Sequence, residues 1–194
     1  MSDDPTAAGT AIHDKYQRLI AFAQKQPTIR TAVVHPCDDA SLQSAMEASR
    51  LGLIVPILVG PEHRIRDVAT RAGFDIGGME IVNAAHSHDS AAKAVGLVAA
   101  GRAEALMKGS LHTDELMGAV VSRQAGIRTS RRISHCFIMD VPGYSETLFI
   151  TDAAINIFPD LDAKRDIVQN AIDLARAPTT DQIVNATQIG GTRH

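Results

Sequence analysis

A cation, a glycine and three hydrogen-bonding side chains stand together in the stretch ALMKGSLHTDEL. Lys108 supplies a compact positive charge, and Gly109 allows another group to approach the backbone closely. Ser110, His112 and Thr113 add side-chain donors. If a helix begins near His112, its first N–H groups and its dipole attract an anion. These residue types therefore suit the binding of phosphate.

The spacing alone leaves an ordinary capped helix start open as an alternative. The stretch matches neither the GxxxxGK[ST] pattern of a P-loop nor the GxGxxG pattern of a dinucleotide site. Asp114 and Glu115 suit the first turn of any helix, and they would repel an anion if they pointed at it. A metal site is less favoured, because His86 and His88 have neither an HExxH pattern nor clustered cysteines beside them. We predict no metal.

Strand-like and helix-like segments alternate through the first two thirds of the chain. The predicted strands cover residues 31–36, 53–60, 79–84 and 104–109, and the predicted helices cover residues 11–26, 41–51, 61–73, 86–101 and 112–126. The strands are apolar throughout, which is typical of a sheet with both faces covered. The alternation predicts βαβ units and a parallel sheet.

Polar residues follow each of these predicted strands. They are His35, Cys37, Glu62, His63, His86, Ser87, His88 and the residues around Lys108. Ligands bind beyond the carboxyl ends of parallel strands, so the topology would gather these residues along one edge of the sheet. Taken singly, His35, His63, His86 and His88 are better explained by a structural role.

The pattern changes after residue 128. Two strands joined by a turn at Pro142 and Gly143 are predicted, followed by a helix over residues 160–177. Its predicted apolar side consists of Ile167, Val168, Ala171, Ile172 and Leu174. Arg131 and Arg132 suit either a solvated surface or a phosphate group, and Asp152 suits either a helix cap or a ligand acceptor.

Composition narrows the class of protein. The 194 residues are 45% hydrophobic and 21% charged, with a net charge of −3 and few aromatic residues. We therefore expect no binding to nucleic acid and no association with a membrane. Cys37 and Cys136 do not form a CxxC pair, which fits a reducing compartment. We expect a cytoplasmic location.

Several longer stretches together resemble one family of enzymes. They are AVVHPCDDASL, GLIVPILVGP, ALMKGSLHTDELM, RRISHCFIMDVPGY and LFITDAAINIFPDL. They resemble the phosphate acetyltransferase/phosphate butyryltransferase family, especially its butyryltransferase-like branch. The resemblance extends from residue 31 to residue 176. It implies a transferase that moves an acetyl- or butyryl-type acyl group between coenzyme A and inorganic phosphate.

The resemblance also implies a fold and a set of partners. The fold is α/β, a three-layer sandwich with a mostly parallel sheet, similar to that of isopropylmalate dehydrogenases. The substrates would be acyl-CoA and inorganic phosphate, with coenzyme A as a substrate and no resident cofactor, and the protein would be a homodimer. A dehydrogenase of the same broad fold finds no support, because no metal-binding aspartates or nicotinamide site are visible.

We expect four segments along the chain: a disordered N-terminus over residues 1–10, a first α/β lobe over 11–130, the start of a second lobe over 131–177, and an irregular tail over 178–194. The second lobe is expected to be incomplete, because family members continue beyond the position of Ala177. This leaves open an alternative, a truncated and non-catalytic remnant that binds phosphate or coenzyme A.

The chemistry of the residues and the resemblance together indicate site residues in both lobes. His112, Thr113 and Lys108 are expected to be catalytic. Substrate binding is expected from Gly109, Ser110, Arg132, Ser134, His135, Asp152 and Asn156.

Overall fold

A computed structural model of the chain describes residues 14–141, 144 and 147–176. The segments 1–10 and 178–194 and the predicted turn at Pro142 and Gly143 lie outside the described residues. The described residues form two compact units, Gln26–Arg128 and residues 14–25 with 129–176. Helix α1 (Asp14–Ala23) groups by its contacts with the second of these units, whereas the sequence assigned it to the first lobe.

The unit Gln26–Arg128 is built on a four-stranded parallel sheet. Its strands are β1 (Ile29–Val34), β2 (Ile54–Gly60), β3 (Glu80–Asn83) and β4 (Ala105–Lys108), in the order β3-β2-β1-β4. The helices between and after them are α2 (Asp39–Arg50), α3 (Glu62–Ala72), α4 (Ser87–Ala99) and α5 (Thr113–Val120). Val34, the last residue of β1, pairs with Val59 on one side and with Lys108 on the other. The predicted alternation and parallel pairing are confirmed.

Both faces of this sheet are covered, which confirms the three-layer prediction. Val34 and Val59 pack with α4 and α5, in one buried cluster that also contains Ala32, Ile57, Ala91, Ala94, Leu97 and Leu116. Val33 and Leu58 face the other way and pack with α2 and α3, in a cluster that also contains Leu42, Ala45, Ile65 and Val68. Each fully buried aliphatic side chain contributes about 1.5–3 kcal/mol.

Local signals set most helix ends, with one exception. Asp38 caps α2, because its carboxylate accepts a hydrogen bond from the Ser41 amide at 2.8 Å. Gly73, with φ +72°, ends α3 as predicted. Helix α5 ends at Val120 rather than near Gly126, so the predicted span 112–126 was too long. The reason is a turn at Ser122, whose hydroxyl oxygen accepts from the Gln124 amide at 3.3 Å.

The second unit contains a short hairpin and a long helix. Strands β5 (Cys136–Met139) and β6 (Leu148–Thr151) pair antiparallel, as the sequence predicted, and α6 (Leu161–Arg176) contacts β6. Ile167, on the predicted apolar side of α6, is buried as expected. Val168 was predicted to lie on the same side, but it is 54% exposed. Among the described residues, no helix combines the length and apolar character needed to cross a membrane.

Candidate functional site

The carboxyl ends of β1 and β4 mark the point where the sheet reverses its direction of winding. The chain leaves β1 for α2 on one face of the sheet and leaves β4 for α5 on the other face. Loops at such a point diverge and leave a crevice in which ligands bind. The residues singled out around Lys108 therefore lie where this fold offers a ligand site.

Gly109 is the residue that allows the two loops to touch. Its amide donates to the Val34 carbonyl at 2.9 Å, which extends the β1–β4 pairing by one step. A Cβ atom at this position would lie 2.5 Å from the Val34 oxygen and 2.7 Å from the His35 oxygen. No side chain fits at that distance, so the site requires glycine for reasons of space.

Two neighbouring backbone amides are used by the fold rather than left for a ligand. The Ser110 amide and the Ser110 hydroxyl both donate to the His35 carbonyl, at 2.9 and 3.0 Å. The His112 amide donates to the Glu115 carboxylate at 2.9 Å. These two amides are therefore bonded within the fold. Ser110 instead joins the β4 loop to the β1 loop, and its hydroxyl also accepts from the Cys37 amide at 3.2 Å.

Three of the predicted side chains remain exposed at this junction. Lys108, His112 and Thr113 are exposed, and the Lys108 ammonium donates a long hydrogen bond, 3.4 Å, to the Gly109 carbonyl. The amides of Thr113 and Asp114 belong to the first turn of α5, where N–H groups have no acceptor within the helix. A positive charge, an imidazole, a hydroxyl and the amino end of a helix therefore lie next to one another.

Glu115 connects the beginnings of α4 and α5. Its carboxylate accepts hydrogen bonds from the Ser87 hydroxyl at 2.7 Å and from the His112 amide, and it lies 2.9 Å from His88 Nδ1. These donors, first the Ser87 hydroxyl and then the His112 amide, hold the pKa of Glu115 below its ordinary value. Its charge is satisfied by the fold, so it does not face the crevice as a free anion. The H-x-x-E spacing of a capping box was the signal for this role.

The sequence pattern favoured a structural role for His35, and the structure shows that its backbone and its ring are both constrained. His35 follows β1 directly, is buried, and has φ +56°, a left-handed backbone that few non-glycine residues adopt. Its Nδ1 atom lies 3.0 Å from the hydroxyl of buried Ser90 on α4. Burial first, and the nearby charge of Arg64 second, lower the pKa of His35. Ser90 was not singled out from the sequence, because a serine inside a helix carries no local signal.

His86 and His88 lie at the beginning of α4. Their ring centroids are 6.2 Å apart, and His86 Nδ1 accepts from the Asp89 amide at 3.3 Å. Among the residues that the structure describes, no group of three or more His, Cys, Asp or Glu side chains is placed to hold a metal ion. His86 therefore acts here as a helix cap.

In the second unit, Asp152 is surrounded by protein donors. Its carboxylate accepts from the amides of Ala154, Ile155 and Asn156, each at 3.0 Å, and also from the His135 amide and the Asn156 side chain. Partial desolvation opposes ionisation, but these hydrogen bonds together outweigh it and hold the pKa of Asp152 far below its ordinary value. Asp152 thus organises the loop after β6.

We predict that Asp152→Asn destabilises the second unit by about 1.5–3 kcal/mol, because the amide replaces one charged acceptor by a donor. A carboxylate with a lowered pKa stabilises the fold fully above its unfolded pKa, near 3.9, and that contribution decreases progressively as the pH falls from about 4 toward the lower folded pKa. Urea unfolding followed by circular dichroism at pH 7 and pH 3 measures both effects. Asp162→Asn is the control, since Asp162 is 84% exposed and should change stability by less than about 0.5 kcal/mol.

The remaining predicted site residues of this unit lie in the segment before β5. The Arg132 amide donates to Asp166 at 3.0 Å, while its side chain is exposed. The Ser134 hydroxyl accepts from Asn170 at 2.8 Å. His135 packs edge-on against Phe137, and its Nδ1 atom is the one buried side-chain nitrogen or oxygen, among the described residues, without a hydrogen-bond partner.

The structure therefore brings the predicted site residues together in two groups, one in each unit. Lys108, Gly109, Ser110, His112 and Thr113 lie at the β1–β4 junction. Arg132, Ser134, His135, Asp152 and Asn156 lie around the loop after β6 and the segment before β5.

Comparison with known proteins identifies the family. Residues 86–186, which include α4, the β4 loop and the second group of residues, match the family described as Phosphate acetyl/butaryl transferase. The chain belongs to this family. Over 160 residues it is 64% identical to a phosphate acetyltransferase of Rhizobium meliloti, covering 82% of this chain and 51% of the relative. It is 32% identical to a phosphate butyryltransferase of Clostridium acetobutylicum, covering 84% of this chain and 54% of that protein.

Solved structures support the fold. A phosphotransacetylase from Streptococcus pyogenes superimposes with a TM-score of 0.72 at 20% identity, covering 84% of this chain and 58% of that one. This member of the phosphate acetyl/butyryl transferase family spans about half the length of the curated relatives that it matches.

Proposed function

We propose that this chain takes part in the transfer of an acetyl- or butyryl-type acyl group between coenzyme A and inorganic phosphate, and that the β1–β4 junction holds the phosphate. The observation that carries the proposal is the junction itself. Gly109, which has no space for a Cβ atom, allows the β4 loop to lie against the end of β1. Lys108, His112 and Thr113 are exposed beside the first turn of α5. Membership of the family supports the same chemistry.

The proposed contacts differ from those expected from the sequence. Because the amides of Gly109, Ser110 and His112 are used by the fold, phosphate binding rests on the Lys108 ammonium, the Thr113 hydroxyl and the first-turn amides of α5. A charged donor to a phosphate oxygen is stronger than a neutral one. The positive end of the helix adds to the attraction.

In this site, phosphate and the thioester would react as neighbours. A phosphate oxygen attacks the thioester carbon, the new C–O bond forms, the C–S bond breaks, and coenzyme A leaves as the thiol after taking up a proton. Holding the two reactants together makes the attack effectively unimolecular. The imidazole of His112 is proposed to donate to the carbonyl oxygen as negative charge develops on it. Considered by itself, the second unit offers the exposed guanidinium of Arg132, a group suited to binding a phosphate.

The test is the release of free thiol from acetyl-CoA or butyryl-CoA, measured with and without inorganic phosphate. We expect phosphate-dependent release, and we expect His112→Ala to lower kcat about 10²–10³-fold, the usual cost of losing one donor to the developing oxyanion. His63→Ala is the control, because His63 is an exposed histidine on α3. Thiol release that is undiminished in His112→Ala would remove His112 from the mechanism. No phosphate-dependent release by the wild-type chain would contradict its catalytic function.

A further inference from the structure

Glu115 joins the beginnings of two helices that follow the opposite edges of the sheet. Strands β3 and β4 are the edge strands of the four-stranded sheet, and α4 and α5 come after them in the chain. One oxygen of the Glu115 carboxylate accepts from the Ser87 hydroxyl at 2.7 Å and lies 2.9 Å from His88 Nδ1, so two residues of α4 contact it. The other oxygen accepts from the His112 amide at 2.9 Å. A single carboxylate therefore fixes the beginning of α5 against α4.

The beginning of α4 is itself anchored to the sheet. Ser90 on its first turns is fully buried, and the Ser90 hydroxyl oxygen lies 3.0 Å from Nδ1 of His35, the residue after β1. The Asp89 carboxylate accepts from the Ala85 amide at 2.8 Å, which ties the helix to the segment after β3. Because α4 is held in this way, a contact with α4 gives the first turn of α5 a defined place relative to the sheet.

The two acidic residues in the first turn of α5 differ in their surroundings. The Glu115 side chain is only 12% exposed and is bonded on both of its oxygens. Asp114 is exposed. Both carry a negative charge at the end of the helix where an anion is expected to bind, so charge alone does not explain why one of them is held in place by three protein groups.

We propose that Glu115 is a positioning residue for the phosphate site at the β1–β4 junction. By holding the first turn of α5 on α4, it keeps the amides of Thr113 and Asp114 directed toward the anion, and it does so without touching the anion itself. A binding group held by a supporting contact loses less freedom when its ligand binds. The inference rests on the proposed function for the identity of the ligand.

Glu115 has two opposite effects on a bound anion. Its negative charge repels the anion, as any carboxylate in the first turn of the helix would. Its hydrogen bonds raise the fraction of molecules in which the first turn is formed, and the apparent affinity rises in proportion to that fraction. Water and salt screen the repulsion at the protein surface, whereas the loss of a helix cap changes a population several-fold. The positioning effect is therefore the larger of the two.

Glu115→Ala and Glu115→Gln separate these effects. Glutamine keeps an oxygen for the His112 amide, and its NH₂ group donates to the Ser87 hydroxyl, so the contacts persist without the charge. The full chain is titrated with inorganic phosphate at pH 7.5, with chemical shifts of the Thr113 and Asp114 amides as the readout. We expect Glu115→Ala to weaken phosphate binding about 3- to 10-fold. Glu115→Gln should bind phosphate as tightly as the wild type or up to about 3-fold more tightly.

Asp114→Ala is the matched control for the loss of charge. It removes one carboxylate from the same turn of the same helix, but from an exposed position. We expect this variant to bind phosphate about 2- to 3-fold more tightly than the wild type. Alanine at two neighbouring acidic residues is therefore predicted to change phosphate affinity in opposite directions.

Ser87→Ala provides a test that does not depend on the folding of Glu115→Ala. Ser87 lies on α4 and acts on α5 through its hydrogen bond to Glu115. We expect Ser87→Ala to weaken phosphate binding about 2- to 5-fold in the wild-type background and to have no further effect in the Glu115→Ala background. Such non-additivity is the signature of two residues that act through one contact.

The outcomes distinguish the inference from the proposed function. Equal phosphate affinity in the wild type, Glu115→Ala and Ser87→Ala would overturn the inference and leave the phosphate site intact, since these contacts would then serve stability alone. Tighter binding by both Glu115 variants would overturn it as well, because the charge would then be the dominant effect. A wild type that binds no phosphate at these amides would reject the site and the inference together. The predicted order of affinities without phosphate-dependent thiol release would reject only the catalytic proposal.

Discussion

Gly109→Ala is expected to lower the free energy of unfolding of the Gln26–Arg128 unit by about 2–4 kcal/mol, at the upper end of overpacking effects. The added Cβ would lie 2.5 Å from the Val34 oxygen and 2.7 Å from the His35 oxygen, and both oxygens are backbone atoms that no rotamer change can move. Relief requires the β4 loop to withdraw, which breaks the hydrogen bonds from Gly109 and Ser110 to β1. Thermal unfolding should show a midpoint lowered by roughly 5–15 °C.

Gly118→Ala is the matched control for this substitution. Gly118 lies within α5, and no atom lies within 4 Å of a Cβ built there. The same change should therefore raise stability by about 0.5–1 kcal/mol, the difference between alanine and glycine inside a helix. If Gly109→Ala unfolds at the same temperature as Gly118→Ala, the close approach of β4 to β1 is not a feature of the protein in solution.

Lys108→Met is expected to weaken phosphate binding roughly 10- to 100-fold, since a hydrogen bond to a charged group contributes about 1.5–3 kcal/mol. Methionine keeps most of the length of the lysine side chain while it removes the charge. The difference in phosphate affinity between the wild type and Lys108→Met should become smaller as salt is added, because salt screens an exposed charge. Isothermal titration with inorganic phosphate at two ionic strengths measures the effect.

Lys93→Met serves as the comparison for the Lys108 variant. Lys93 is on α4 in the same unit, and its ammonium is occupied by Asp89 and by the Asn83 carbonyl, each at 2.9 Å. This variant removes the same net charge from a site away from the junction. Equal loss of phosphate affinity in the two variants would mean that overall charge, and not the β4 loop, attracts the anion.

The architecture of the Gln26–Arg128 unit was predictable because its signals are local. Apolar strands without alternation indicated a sheet covered on both faces, and residues such as Asp38 and Gly73 marked helix ends by their own chemistry. The same reasoning placed the carboxyl ends of the strands at one edge. It failed for the end of α5, where the turn at Ser122 overrides a helical pattern that continues to Gly126.

The sequence did not allow us to predict which polar atoms at the site are already hydrogen-bonded within the protein. Ser110 and His35 are 75 residues apart, and only the strand order brings them together, so the sequence cannot reveal that the Ser110 hydroxyl is already paired. The contact between His35 and Ser90 depends likewise on the packing of α4 against the sheet. Asp152 differs, since most of its donors lie two to four residues ahead of it in the chain.

The most direct test of the phosphate site is a titration of the uniformly ¹⁵N-labelled wild-type chain with inorganic phosphate, at constant ionic strength and followed by ¹H–¹⁵N correlation spectra. The proposed site predicts saturable shifts concentrated at the Thr113 and Asp114 amides, with the Gly109 and Ser110 amides protected by their bonds to β1. Shifts that are absent, non-saturable, or centred away from the β1–β4 junction would contradict it.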